Sequence, residues 1–226
     1  MALTLTYSPV PFDDTYVLYN PDDKLSLAAV FFTLLPIGIL VFYLSWFIVT
    51  REIEPVIMAA GQVVNDIVNN VVKNHIRQER PMKIVGFQEN GLRSGYGMPS
   101  AHSQFMGFFA VFLMLRIWLQ WRGLTVQRKV VSSIGLIVLS ACVVSSRVYL
   151  HYHSWIQVAV GVLIGSGIGI LHFSLASWLR STKVIDYLLS WKIVEFFWIK
   201  DSVYQEPLSL RQEHEEWLRR KGSKAK

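Results

Sequence analysis

From Leu25 to Thr50 the chain contains no charged residue, and its side chains are almost all apolar. A helix needs about 20 such residues to cross the hydrocarbon core of a bilayer, and water offers no comfortable place for this surface. The composition points the same way. Hydrophobic residues make up 52% of the 226 and charged residues 17%, against roughly 25% charged in an average soluble domain, and the mean hydropathy is +0.35. The expected class is an all-α integral membrane helical bundle. The net charge of +6 does not point to nucleic acid, because the basic residues fall in loops and in the tail. Cys142 is the single cysteine and lies in an apolar run, so no intrachain disulfide is possible. The run at Leu25 follows a polar segment with Asp13, Asp14, Asp22 and Asp23. It is expected to stay in place as a spanning anchor rather than be removed as a leader.

About five spans are expected: 25–50, 53–72, 101–121, 130–148 and 155–179. The second is the weakest. Gln62, Asp66 and Asn69, with Asn65 beside them, share one helical face that must turn toward other helices or a polar cavity, and an interhelical contact is the favoured reading. In the fifth, Gly161, Gly165 and Gly169 recur every four residues, a spacing that lets helices approach closely. Residues 187–199 set Trp191, Phe196, Phe197 and Trp198 among Lys192, Glu195 and Lys200, which reads as one interfacial amphipathic helix. The charged end from Glu213 is expected to be exposed. The chain thus divides into an N-terminal segment 1–24, a membrane domain 25–180 and a tail 181–226. Lys and Arg are more numerous in the tail and around Arg122, Arg128 and Lys129 than on the opposite side, which holds Lys24, Lys73, Arg77, Arg80, Lys83, Arg93 and Arg147. Positive charge favours the cytosolic side. The tail is therefore expected in the cytosol, with residues 1–24 and the loops at 73–98 and 147–154 on the lumenal or outer side.

Three polar clusters fall on that second side. Lys73 and Arg80 close the second span, and Pro81 is expected to stop its helix. Pro99, Ser100, Ala101 and His102 open the third span. A helix start offers unpaired N–H groups to an anion, although a capped helix with an interfacial histidine is the blander reading. Arg147 ends the fourth span and His153 precedes the fifth. Gln157 lies four residues beyond His153, one helical turn away, and can accept an imidazole N–H to aim the other ring nitrogen. Tyr149, His151 and Tyr152 are assigned to the surroundings. Arginine grips phosphate oxygens with a planar fork, and lysine adds a compact charge. Ionisable groups this close to lipid point to function.

Lys-x6-Arg-Pro, Pro-Ser-x-His and Ser-Arg-x5-His, in that order beside spans, resemble the type 2 phosphatidic acid phosphatase superfamily. The resemblance covers roughly residues 60–175. The family's usual second motif has Gly where Ala101 stands, and its third motif ends in Asp where Gln157 stands. The run from Ser146 through Arg147 and His153 to Gln157 and Val158 is similar to the eukaryotic dolichyl diphosphate phosphatases, which carry Gln there. The resemblance implies hydrolysis of dolichyl diphosphate to dolichyl phosphate and phosphate at the lumenal face of the endoplasmic reticulum. In that scheme His153 is the nucleophile and His102 the general acid and base. Lys73, Arg80, Ser100, Ala101 and Arg147 bind phosphate, and Gln157 orients His153. No cofactor and no metal are implied, since the cationic side chains supply the positive charge. The expected partners are a polyprenyl diphosphate lipid and the bilayer. Two alternatives stay open: a phosphatase for phosphatidate or an isoprenoid monophosphate, and a silent membrane scaffold that only binds lipid phosphate.

Overall fold

The computed structural model describes residues 10–12, 15, 17–81, 95–203 and 210–223; Lys83 and Arg93 lie outside them. A short antiparallel hairpin, β1 (Val10–Phe12) with β2 (Val17–Tyr19), leads into α1 (Lys24–Thr50). Next come α2 (Glu54–Ile76) and α3 (Ala101–Leu115), the latter prolonged by a π-helical turn at Arg116–Gln120. They are followed by α4 (Val126–Tyr149) and α5 (Trp155–Ser181). The chain ends with α6 (Val184–Leu189), α7 (Lys192–Phe196) and α8 (Leu210–Ser223). The single amphipathic helix expected over 187–199 is instead two short pieces. Trp191 takes an extended conformation between them, and Trp198 turns left-handed after the second.

Among the described residues, four helices are long and apolar enough to cross a membrane: α1, α3 with its π turn, α4 and α5. The chain is a multi-pass membrane protein. Composition alone leaves out α2, but its attachments place it. Glu54, at its start, pairs with Arg116 at the end of α3 and with Arg180 at the end of α5. Asn69, near its other end, bonds Pro99 and Gln104 at the start of α3. A helix tied at both ends to spanning helices crosses the same thickness, and its 23 residues give about 34 Å at ~1.5 Å per residue.

The polar face of α2 does turn inward. Gln62, Asn65 and Asn69 are buried. Gln104 Nε2 donates to Asn65 O at 2.7 Å and to Asn65 Oδ1 at 2.9 Å, and Asn69 Nδ2 donates to Gln104 Oε1 at 2.8 Å. Asp66 departs from the expectation. It is exposed and accepts from Asn70 of its own helix. Val63, Val64, Ile67 and Val71 are also exposed, which gives α2 an apolar outer side.

The closest helix pair is α3 with α5. Gly161, Gly165 and Gly169 are all buried. A Cβ on Gly161 would stand 2.7 Å from Ser100 O, one on Gly165 would overlap Gln104 O, and one on Gly169 would stand 3.0 Å from Phe108 O. The glycine stripe therefore meets the α3 backbone at three successive turns, as small-residue packing in membranes predicts. Phe108, Phe112, Phe173, Met58 and Met106 fill the core beside it.

At the end of the bundle away from the three polar clusters, Glu54, Arg116 and Arg180 are buried together. Arg180 also bonds Asp201 through Nε at 2.7 Å. Residues 200–202 lie along the α1–α2 turn, where Lys200 N bonds Arg51 O and Ile53 N bonds Lys200 O, each at 2.9 Å. The segment after α7 is thus strapped to the start of α2.

Two stability outcomes follow. Gly165→Val forces the α3 and α5 backbones apart and should cost at least about 1–3 kcal/mol, whereas Gly167→Ala, with open space around its Cβ position, should be near neutral; thermal unfolding in detergent compares them. Glu54→Ala leaves two buried guanidinium groups without their shared carboxylate and should cost about 3–5 kcal/mol, measured the same way.

Candidate active site

Four helix ends meet at the other end of the bundle. The C-termini of α2 and α4 bring Lys73 and Arg147, and the N-termini of α3 and α5 bring Ser100, Ala101, His102 and Gln157. Arg80 and His153 come from the adjoining loops. The three motifs, far apart in sequence, are therefore one constellation. The charges of Arg147, Lys73 and Arg80 all bear on His102 and on His153.

Local structure differs from the sequence reading in two places. α2 ends at Ile76, before Pro81, because Arg77 adopts a left-handed conformation with φ 53°. Ser100 begins α3, but its side chain makes no capping bond; its hydroxyl accepts from Ser103 at 3.1 Å. His153 precedes α5, as expected, and Ser154 is the N-cap.

The turn carrying Arg147 and His153 is closed by backbone hydrogen bonds. Arg147 O accepts both Tyr152 N at 3.0 Å and His153 N at 3.2 Å, and His151 supplies the left-handed step with φ 56°. Six residues is the length of this closed turn. It puts the clamp and the imidazole side by side. Arg147 is buried, its guanidinium 4.0 Å from the Tyr152 ring centre, and Nη1 donates to Thr33 at 3.5 Å. A cation is attracted to the face of an aromatic ring, so the Tyr152 ring helps to position the guanidinium. The Tyr152 hydroxyl in turn accepts Leu18 N–H at 2.9 Å, so the N-terminal hairpin lies at the same end as the clusters.

His153 is 4% exposed. Its Nδ1 lies 2.9 Å from Gly97 O and 3.2 Å from Gln157 Oε1. Both partners are acceptors, so Nδ1 carries the hydrogen and Nε2 keeps the lone pair. The Gln157 amide cannot be reversed. Ser154 N–H requires Oε1 on one side at 3.3 Å, and Glu79 O requires a donor on the other, which Nε2 reaches at 2.9 Å. Ser154 and Gln157 form a reciprocal capping box. Gly97 completes the frame. Its N–H bonds Gln78 O at 2.7 Å, and a Cβ there would stand 2.7 Å from Gln157 Nε2.

Ser100 is fully buried, and its N–H donates to Gln157 O at 3.1 Å. Because Ser100 Oγ is used as an acceptor, its own O–H can still donate. Ala101, His102, Lys73 and Arg80 keep partial exposure, which marks the side from which an anion arrives. Thr33, Gly97, Tyr152 and the backbone of residues 78–79 belong to the site but have no motif signal. Of these, Gly97 is of the residue type that permits a close approach, but its spacing to the motifs does not single it out. Among the described residues no group of three or more His, Cys, Asp or Glu is gathered as a metal site.

Burial first, then the positive charges of Arg147 and Arg80, pushes the His153 imidazole down to about 3, against the opposing pull of its bond to Gln157. The ring is therefore neutral, and able to attack, throughout the physiological range. Arg147→Gln removes a positive charge that disfavours the imidazolium, so the His153 pKa should rise; NMR titration of ring-labelled histidine should show a higher midpoint than in the wild type.

A family model described as the PAP2 superfamily matches residues 54–181, a segment running from Glu54 to the end of α5. A dolichyldiphosphatase of Saccharomyces cerevisiae is 47% identical over 93% of this chain and 89% of its own length. The human dolichyldiphosphatase 1 is 32% identical over 89% of this chain and 84% of its own. A palmitoyl-protein thioesterase-dolichyl pyrophosphate phosphatase fusion of Schizosaccharomyces pombe is 35% identical over 92% of this chain and 32% of its own. No solved structure matches. A family match across more than half the residues, with relatives aligned over nearly the whole length, makes this chain a member of the PAP2 superfamily.

Proposed function

We propose that the protein hydrolyses dolichyl diphosphate to dolichyl phosphate and phosphate, on the lumenal face of the endoplasmic reticulum, and so returns the lipid carrier for protein N-glycosylation. One observation carries the reading. His153 Nδ1 is bonded to Gly97 O and Gln157 Oε1, which leaves Nε2 as a nucleophile within the field of Arg147, Arg80 and Lys73. The names of the relatives supply the substrate, and the excess of basic residues in the tail supports a cytosolic C-terminus with the site opposite. In this reading the membrane domain, residues 25–180, holds the chemistry, and the tail, 181–226, lies at the cytosolic surface; the helices from α1 to α5, which run from Lys24 to Ser181, support the division to within one residue at each end.

In the first step the Nε2 lone pair attacks the distal phosphorus, and the bond from that phosphorus to the bridging oxygen breaks. Dolichyl phosphate leaves with the bonding pair, and His102 gives its bridging oxygen a proton. Arg147, Arg80 and Lys73 hold the equatorial oxygens of the transferring group. The Ser100 hydroxyl and the first N–H groups of α3, that of Ala101 included, donate to the same oxygens. Such transfer is mostly positioning and charge stabilisation. In the second step His102 takes a proton from water, the water oxygen bonds to phosphorus, and the N–P bond breaks. Phosphate leaves and both histidines return to their starting forms. A phosphate leaving group is less basic than an alkoxide, so the demand on His102 is modest.

Phosphate release from dolichyl diphosphate by purified protein tests the proposal. His153→Ala should lose at least about a thousand-fold in rate, and Arg147→Ala about a hundred- to a thousand-fold. Rapid quench with labelled substrate should trap acid-labile phosphate on His153. Wild-type activity in Arg147→Ala would remove the clamp from the mechanism. A panel including phosphatidate and an isoprenoid monophosphate should rank dolichyl diphosphate first.

A further inference from the structure

A groove of about 380 Å³ runs between α1 and α4 and reaches the start of α5, lined by Leu25, Ala28, Phe32, Cys142, Ser146 and Trp155 among others. Pockets that hold ligands have volumes of roughly 300–1,000 Å³, so this one fits a short length of chain. Its place is the informative part. Ser146 precedes the clamp Arg147, and Trp155 follows the nucleophile His153 by two residues. Four residues of α1, between Leu25 and Phe32, and five of α4, between Cys142 and Tyr149, line it. A separation of seven positions on each helix, at ~1.5 Å per residue, makes it about 10 Å long, running along the spanning helices at the end of the bundle that carries the three motifs.

Its walls are built for hydrocarbon. Ala28 and Ala29 face Ser145 and Ser146, so small side chains open the space, while Phe32, Tyr149 and Trp155 stand around it. The polar atom on its floor is already satisfied. Ser146 Oγ donates to Val143 O at 2.7 Å and lies 2.9 Å from Thr33 Oγ1, the atom that also receives Arg147 Nη1. The wall of the groove and the clamp thus share one hydrogen-bonded chain. We infer that this groove binds the first isoprene units of the substrate's polyprenyl chain and aligns the diphosphate with Arg147 and His153. The inference rests on the diphosphate-lipid reading above. A diphosphate held among cations at the bundle end needs its attached chain to turn down toward the bilayer interior, and this groove is an apolar path that begins beside Arg147.

Two measurements test it. In the first, kcat/KM is compared for a long-chain polyprenyl diphosphate and for methyl diphosphate, a short substrate with no isoprene unit to enter the groove. Ala28→Trp fills the groove from an exposed position and should lower the long-to-short ratio about ten-fold, since apolar burial of a few methylenes is worth that much. Leu171→Trp, exposed on the outer side of α5, should keep the wild-type ratio. In the second, a polyprenyl diphosphate with a diazirine on its first isoprene unit is photolysed with the protein in detergent. Labels should map to residues 25–32 and 142–149 and vanish with excess unlabelled lipid. An unchanged ratio in Ala28→Trp alongside active wild type overturns the groove and leaves the proposed function standing. Labels in the groove without hydrolysis of any diphosphate lipid overturn the proposed function and support the groove. Labels scattered over the outer faces of the helices show ordinary bilayer contact and overturn the groove.

Discussion

The backbone contact between α3 and α5 governs the rest of the bundle. Gly161, Gly165 and Gly169 bring one helix against Ser100, Gln104 and Phe108 of the other, and Ser100 N–H closes the contact on Gln157 O. That contact sets two helix N-termini side by side. The helices alternate in direction, so two C-termini, those of α2 and α4, arrive at the same end. The dipoles then sort the residues. Hydrogen-bond donors for an anion sit at the N-terminal ends of α3 and α5, where the partial charge is positive. Lys73 and Arg147 sit in the last turns of α2 and α4, where a cation is stabilised by the negative end. A concentration of positive charge that would repel itself on a flat surface is thereby supported by the helices that carry it.

Buried arginines tie both ends of the bundle. At the far end Arg116 and Arg180 share Glu54, and Arg180 adds Asp201. These charges are buried and paired, and they fix the crossing of a helix whose own apolarity is weak. At the site end Arg147 lies over the Tyr152 ring and donates to Thr33, contacts that join α4 to α1 and to the turn carrying His153.

Most of the site was legible in the sequence because phosphate chemistry narrows the choice of residue. Lys73, Arg80, His102, Arg147 and His153 are types that rarely stand beside lipid without a task. The glycine spacing announced the α3–α5 packing for a similar reason, since only a missing side chain allows it. The supporting residues were not legible. Thr33 sits in an apolar run with nothing to distinguish it, and Tyr152 looks like any interfacial aromatic until the closed turn lays its ring on Arg147. Residues on one stripe of α2 also separated in three dimensions. Gln62, Asn65 and Asn69 found partners on α3, while Asp66, at the margin of the same stripe, is exposed and takes its hydrogen bond from Asn70 of its own helix. Beyond the break in the amphipathic segment at Trp191, residues 200–202 are held by Arg51, Glu52 and Arg180, tertiary contacts that local spacing does not carry.

Gln157 shows what an amide does that an acid cannot. A carboxylate beside His153 would stabilise the imidazolium and raise its pKa, but it could only accept. The amide accepts on one side, from His153 and Ser154, and donates on the other, to Gln78 Oε1 and Glu79 O. It therefore ties His153 to the segment that carries Arg80, a link an aspartate is too short and wrongly equipped to make. In the proposed mechanism the cost is a phosphohistidine with less charge stabilisation at its ring. A leaving group that is itself a phosphate lessens that cost, because it departs readily. On this chemistry a glutamine is best suited to an anhydride substrate, and the same residue would serve a monoester, with its more basic leaving oxygen, less well.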